Sequence, residues 1–212
     1  MRVFLTMLCL LPAFCSIAQD FDYPDYRNKR DNFKKIMQKD VRADLASFAL
    51  AGIDESISKV DLRKIPLTRY GRNDIVFESG DTSVTIILGN FDKSKHKLQY
   101  IEKNLVKIDG KGFYGAYGRE PKTSIEKITV VLGKDTIAIP PAAYADIHDL
   151  EMGYADASGV LRSTDAVYFS ADKRKMYIYL FSQGEKNAFE VTWVIQDRQY
   201  LRRVLDFELP GF

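Results

Sequence analysis

The last third of the chain restricts the fold more than any other stretch. Val167–Phe169, Met176–Phe181, Ala188–Ile195 and Tyr200–Phe207 are apolar, β-prone runs separated only by Ala171–Lys175, Gln183–Asn187 and Asp197-Arg198. Links this short join antiparallel neighbours, because a parallel crossover needs a dozen or more residues. The chain therefore ends in a four-stranded meander. Side chains alternate across a strand, so Met176, Ile178 and Leu180 face one way while Tyr177, Tyr179 and Phe181 face the other. A strand apolar on both faces is covered on both, which demands a second layer over the meander. Ala188–Ile195 reads differently. Phe189, Val191, Trp193 and Ile195 share a dry face, and Glu190 and Thr192 lie on a wetter one.

The second layer has an obvious source upstream. Phe33, Ile36, Met37, Val41, Leu45 and Phe48 recur at spacings of three and four, which predicts a helix from about Asn28 to Ala51 with Gly52 as its stop. Beyond Ile53 the helical period does not return. Ile75–Phe77 leads to the turn Ser79-Gly80-Asp81; Val84, Ile86 and Leu88 alternate; Leu105–Ile108 runs into Asp109-Gly110; and Ile128, Val130 and Leu132 alternate before Gly133-Lys134-Asp135. The expected fold is mainly β (β-rich α+β): a single antiparallel β-sandwich or twisted-sheet domain over residues 53–212, with a lead-in and amphipathic helix over 19–52. A small barrel with a ligand cavity is the alternative.

Residues 1–18, MRVFLTMLCLLPAFCSIA, have one positive charge at Arg2, an apolar run, and small residues at Ser16 and Ala18. They read as a secretory signal cut after Ala18, so the protein is expected in the periplasm or outside the cell. Phe14 is too bulky to precede a lipid-bearing Cys15. No later stretch is long and apolar enough to cross a bilayer, so the mature chain is expected to carry no transmembrane segment. The two cysteines, Cys9 and Cys15, both fall within the signal. The mature chain thus has no disulfide, thiolate zinc site or cysteine nucleophile. With 31 basic against 29 acidic residues, the chain lacks the electrostatic footprint of a nucleic-acid binder. The clusters Lys93–Lys97, Lys173–Lys175 and Arg202-Arg203 read as solvated turns or strand faces.

Chemistry has few places to reside. Ala145–Asp156, ADIHDLEMGYAD, holds one of only two histidines among several carboxylates. Asp146, His148, Asp149 and Glu151 are the candidate metal ligands, or an acid–base set for a hydrolase. They lack the acid cadence of a calcium loop and have too few nitrogen donors for zinc, so a polar connection is the simpler reading. GKGFYG, Gly110 to Gly115, matches a dinucleotide fingerprint literally. It is followed by AYGREPKT rather than a helix start, so its glycines read as turn positions. No G-x-S-x-G elbow occurs. Aromatic residues are the remaining feature: Tyr114 and Tyr117 on a loop and Tyr177 and Tyr179 on the meander are candidate binding contacts.

The expected function is an exported, non-catalytic module binding a protein or glycan partner, with no cofactor. One alternative is a hydrolase or metal-dependent enzyme centred on Asp146–Glu151. Another is a carrier of an apolar small molecule in a β cavity lined by Val84, Ile86 and Phe189.

Overall fold

The computed structural model describes residues 32–55, 62–116, 118–151, 154–155, 157–159, 161–183 and 188–207. The signal-like residues 1–18, the lead-in, the start of the expected helix, Tyr117 and Asp156 lie outside them. The strands are β1 (Arg63–Tyr70), β2 (Asp74–Ser79), β3 (Thr82–Asn90), β4 (Leu98–Ile101), β5 (Asn104–Ile108), β6 (Thr123–Leu132), β7 (Asp135–Ala138), β8 (Tyr154–Ala155), β9 (Leu161–Arg162), β10 (Ala166–Phe169), β11 (Lys175–Ser182), β12 (Phe189–Gln196) and β13 (Gln199–Phe207). Nine of them form one antiparallel sheet in the order β13-β12-β11-β10-β1-β2-β3-β6-β7, and β4–β5 and β8–β9 are separate hairpins.

The expected meander is β10 to β13. Its last turn has positive φ at both Asp197 and Arg198, a pairing whose twist matches that of the flanking strands. β1 is the hinge of the sheet. Its first half, Arg63–Pro66, pairs with β10, and its second half, from Leu67 to Tyr70, pairs with β2. Pro66 cannot donate to a ladder and sits where the strand changes partner. Strand twist coils the sheet until its edges, β7 and β13, touch without a hydrogen-bonded ladder, leaving a nearly closed barrel.

The interior is filled by side chains. Ile65, Phe77, Val84, Ile86, Ile178, Phe189 and Trp193 belong to one buried cluster. The residues that would line a carrier's cavity, Val84, Ile86 and Phe189, are thus packed among core neighbours. Segment 139–150 is part of this core. Ile139, Ala143, Tyr144, Ile147 and Leu150 are all buried in it, Trp193 Nε1 donates to the Ala143 carbonyl at 2.9 Å, and Arg203 reaches the same oxygen at 3.3 Å. Trp193 and Arg203 are cross-strand partners, so both reach the segment from the inner face. At one end of the barrel Tyr114 packs against Phe189 and Phe207, ring centroids 5.8 and 5.6 Å apart. Phe189 and Phe207 are at the ends of β12 and β13 remote from the Asp197-Arg198 turn. The loop carrying Tyr114 therefore closes the end opposite that turn.

The second layer over the meander is the N-terminal segment, as expected, but it is not one long helix. Among the described residues only Lys39–Leu45 is α-helical (α1), preceded by a turn at 32–35 and followed by a 3₁₀ helix at Leu50–Glu55. Phe33, Ile36, Val41 and Leu45 are buried with Tyr177, Val194 and Val204, while Met37 is 88% exposed. Short helices gain most of their stability from tertiary packing, and here the sheet sets the path. The Asn32 amide donates to Asp206, the Asp44 carboxylate accepts from the Tyr177 hydroxyl at 2.5 Å, and Glu190 accepts from the amides of Leu50 and Ala51, both at 2.7 Å. β12 therefore departs from the expectation of one wet face. Glu190 and Thr192 are both buried, because the segment covers their side of the sheet as well.

Candidate functional site

The four candidate ligands of ADIHDLEMGYAD diverge. Asp146 holds Arg203 in a bidentate ion pair at 2.5 and 3.0 Å. Burial opposes the guanidinium charge, and the Asp146 carboxylate more than offsets that and keeps it. Asp149 turns back to accept from the amides of Lys122 and Thr123, both at 2.8 Å. Glu151 is exposed, and its amide donates to Ser182 Oγ. His148 is buried, edge-on to Phe91 and Phe113. Neither of its ring nitrogens has a hydrogen bond of normal geometry, although the Thr123 backbone is near enough to favour a proton. Burial dominates and pushes the ring down to about 4. Among the described residues, no three His, Cys, Asp or Glu side chains converge as metal ligands would. The stretch up to residue 151 is a largely buried plug rather than a polar surface connection. Tyr144, Ile147 and Leu150 recur every three residues, which is the sequence signal for it.

The aromatic candidates are also inward. Tyr177 and Tyr179 lie under the N-terminal segment, their hydroxyls donating to Asp44 and Glu190. Burial, then these carboxylates, raise both phenols well above the ordinary tyrosine range. Tyr114 is buried at the closed end, and Tyr117 is outside the described residues. Beside Tyr114, Gly115 has φ +105°, and a Cβ there would come within 1.8 Å of the His148 carbonyl oxygen. Only glycine fits that crossing of the two loops.

The other end of the barrel is open. The turns β2–β3, β6–β7, β10–β11 and β12–β13 gather there with the start of β1, around a cavity of about 520 Å³. Its floor is the top of the core: Leu132, Phe169, Met176 and Ile195. Arg63 rises beside Phe169, its strand partner, with the guanidinium 6.0 Å from the ring centroid. Three of the lining cations already have carboxylates. Arg174 forks onto Asp197 at 2.8 and 2.7 Å, Arg198 pairs with Asp135, and Lys175 reaches Asp40 of α1 at 2.9 Å. Arg174 in turn holds the Asp197 carboxyl below its ordinary value. Arg63 and Lys173 have no ion pair among the described residues, and neither has Asp81 on the opposite wall. Lys173 is held at positive φ in its turn.

These residues are scattered over the sequence, and no local motif marks them as a site. The signal that would have found them is connectivity. In a meander every second turn falls at the same end, so 171–175 and 197–198 lie together, and pairing of β10 with β1 brings 79–81 and 133–135 to that end. The mouth offers binding chemistry: an apolar floor, unpaired cations on one wall and a lone carboxylate on the other. No known protein family, curated protein or solved structure matches the chain at a significant level.

Proposed function

We propose that the protein is an exported, non-catalytic binding module that seats a glycan in the open mouth of its barrel. The observation that carries this reading is the mouth itself. Its volume, about 520 Å³, lies inside the range of small-ligand sites, roughly 300–1,000 Å³. The rim sets charges of both signs above an apolar floor, which suits a ligand presenting hydroxyls at its edges and C–H groups on its face. The support for export is the signal-like residues 1–18.

Two measurements test the two halves. Expressed with residues 1–212 in a bacterial host, the protein should be recovered beginning at Gln19; recovery with Met1 retained would remove the export claim. A melt of residues 19–212 against a glycan panel should give one or more upward shifts. A ligand at about 100 times its dissociation constant adds about 2.7 kcal/mol, worth roughly 5–10 °C in a domain of this size. Asp81→Ala, on the rim and outside every described ion pair, should reduce the shift and leave the unliganded midpoint in place. A glycan shift indifferent to Asp81→Ala and to Lys173→Gln would move the site elsewhere.

A further inference from the structure

We infer that the ligand of the mouth is an acidic sugar, whose carboxylate is taken by Arg63 and Lys173 while its hydroxyls face Asp81 and Thr82. The inference rests on reading the mouth as a glycan seat and names the class of glycan.

It follows from how charge is distributed around the rim. The β1–β10–β11 wall carries Arg63, Lys173, Arg174 and Lys175; the β2–β3 turn across the opening carries Asp81 and Thr82. Ion pairing silences part of this set. Asp197 neutralises Arg174, and Asp40 neutralises Lys175 from outside the cavity. What remains is polarised, with two cations on one wall and one carboxylate on the other. A neutral sugar would form no charge-assisted ion pair with either cation. A simple anion would answer the cations and meet Asp81 as a like charge. A sugar bearing a carboxylate at one end and hydroxyls at the other satisfies both walls. Asp81 then acts as an acceptor for hydroxyl protons, and the Arg63 guanidinium, a planar fork, matches a carboxylate in two parallel bonds. Hydrogen bonds to a charged group are about twice as strong as neutral ones, so the carboxylate should dominate selectivity.

The test is titration calorimetry of residues 19–212 with uronic-acid oligosaccharides of several stereochemistries, each against its carboxyl-reduced neutral counterpart. At least one acidic member should bind, and reduction of its carboxyl should weaken binding about ten- to a hundredfold. Arg63→Gln and Lys173→Gln should each weaken the acidic member and bring it toward the neutral one. Added salt should weaken it further, because the site is open to screening. Equal binding of acidic and neutral members, unaffected by Arg63→Gln, would overturn the inference and keep the mouth as a glycan seat. No binding by any member of either series would overturn both.

Discussion

Asp146→Ala is expected to destabilise the protein by about 3–5 kcal/mol, the cost of leaving a buried charge without its partner. Asp146 and Arg203 side chains are only 14% and 10% exposed, and the pair is bidentate. Without the carboxylate, the guanidinium keeps one carbonyl acceptor, that of Ala143 at 3.3 Å. Arginine does not escape by losing its proton, so it must drag water into the plug or pull away from Trp193, its strand partner. Urea unfolding should show the loss as a lower midpoint at unchanged slope, and the melting midpoint should fall by about 10 °C. Asp146→Leu combined with Arg203→Met should lose less than either single change, since the pair then leaves together. A loss under 1 kcal/mol for Asp146→Ala would show that the plug does not depend on the ion pair.

That prediction turns on a residue whose sequence context suggests the opposite role. Asp146 stands in a polar stretch of the chain, beside a histidine and two other acids, and by composition belongs on the surface. It is buried because Tyr144, Ile147 and Leu150 carry the segment into the barrel and because Arg203, far along the chain, answers its charge. Pair burial of this kind is invisible to any local window. The meander, by contrast, is legible from alternation and short turns, and the covered outer face of β11 follows from Tyr177, Tyr179 and Phe181 alone. Continuous helix over 28–51 is the over-reading that periodicity invites. The apolar residues do face the sheet, but through three short pieces fixed by Asp44, Glu190 and Asp206. The same carboxylates show why a polar position on a strand is not a wet one. The mouth is a product of topology: its residues become neighbours only once the barrel coils.

Two buried groups should pull the stability of the protein in opposite directions between pH 4.5 and 6.5. Burial lowers His148 from 6.5 to about 4, against the favourable charges of Asp146 and Asp149. Burial raises Glu190 from 4.5 to about 7, even though the amides of Ala51 and Leu50 and the Tyr179 hydroxyl all favour its anion, and Asp206 across the strand pair adds repulsion. For His148 the unfolded chain binds the extra proton, so stability is fully present above pH 6.5 and is lost as pH falls toward 4. For Glu190 the folded protein binds it, so stability is fully present below pH 4.5 and is lost as pH rises toward 7. Each limb is worth about 3 kcal/mol at full extent. The two nearly cancel in the wild type, and single variants should unmask them. Subtracting the wild-type stability curve from that of each variant removes every other titration. For Glu190→Gln the difference should climb by about 3 kcal/mol between pH 4.5 and 7. For His148→Leu it should drop by a similar amount between pH 4 and 6.5. Both variants also carry a constant offset, from the lost latch on Leu50 and Ala51 or the altered packing on Phe91 and Phe113, which does not affect the slopes. A flat difference for Glu190→Gln would mean that water reaches the carboxylate under the N-terminal segment, and a flat one for His148→Leu would mean that the plug around Ile147 admits a charged ring.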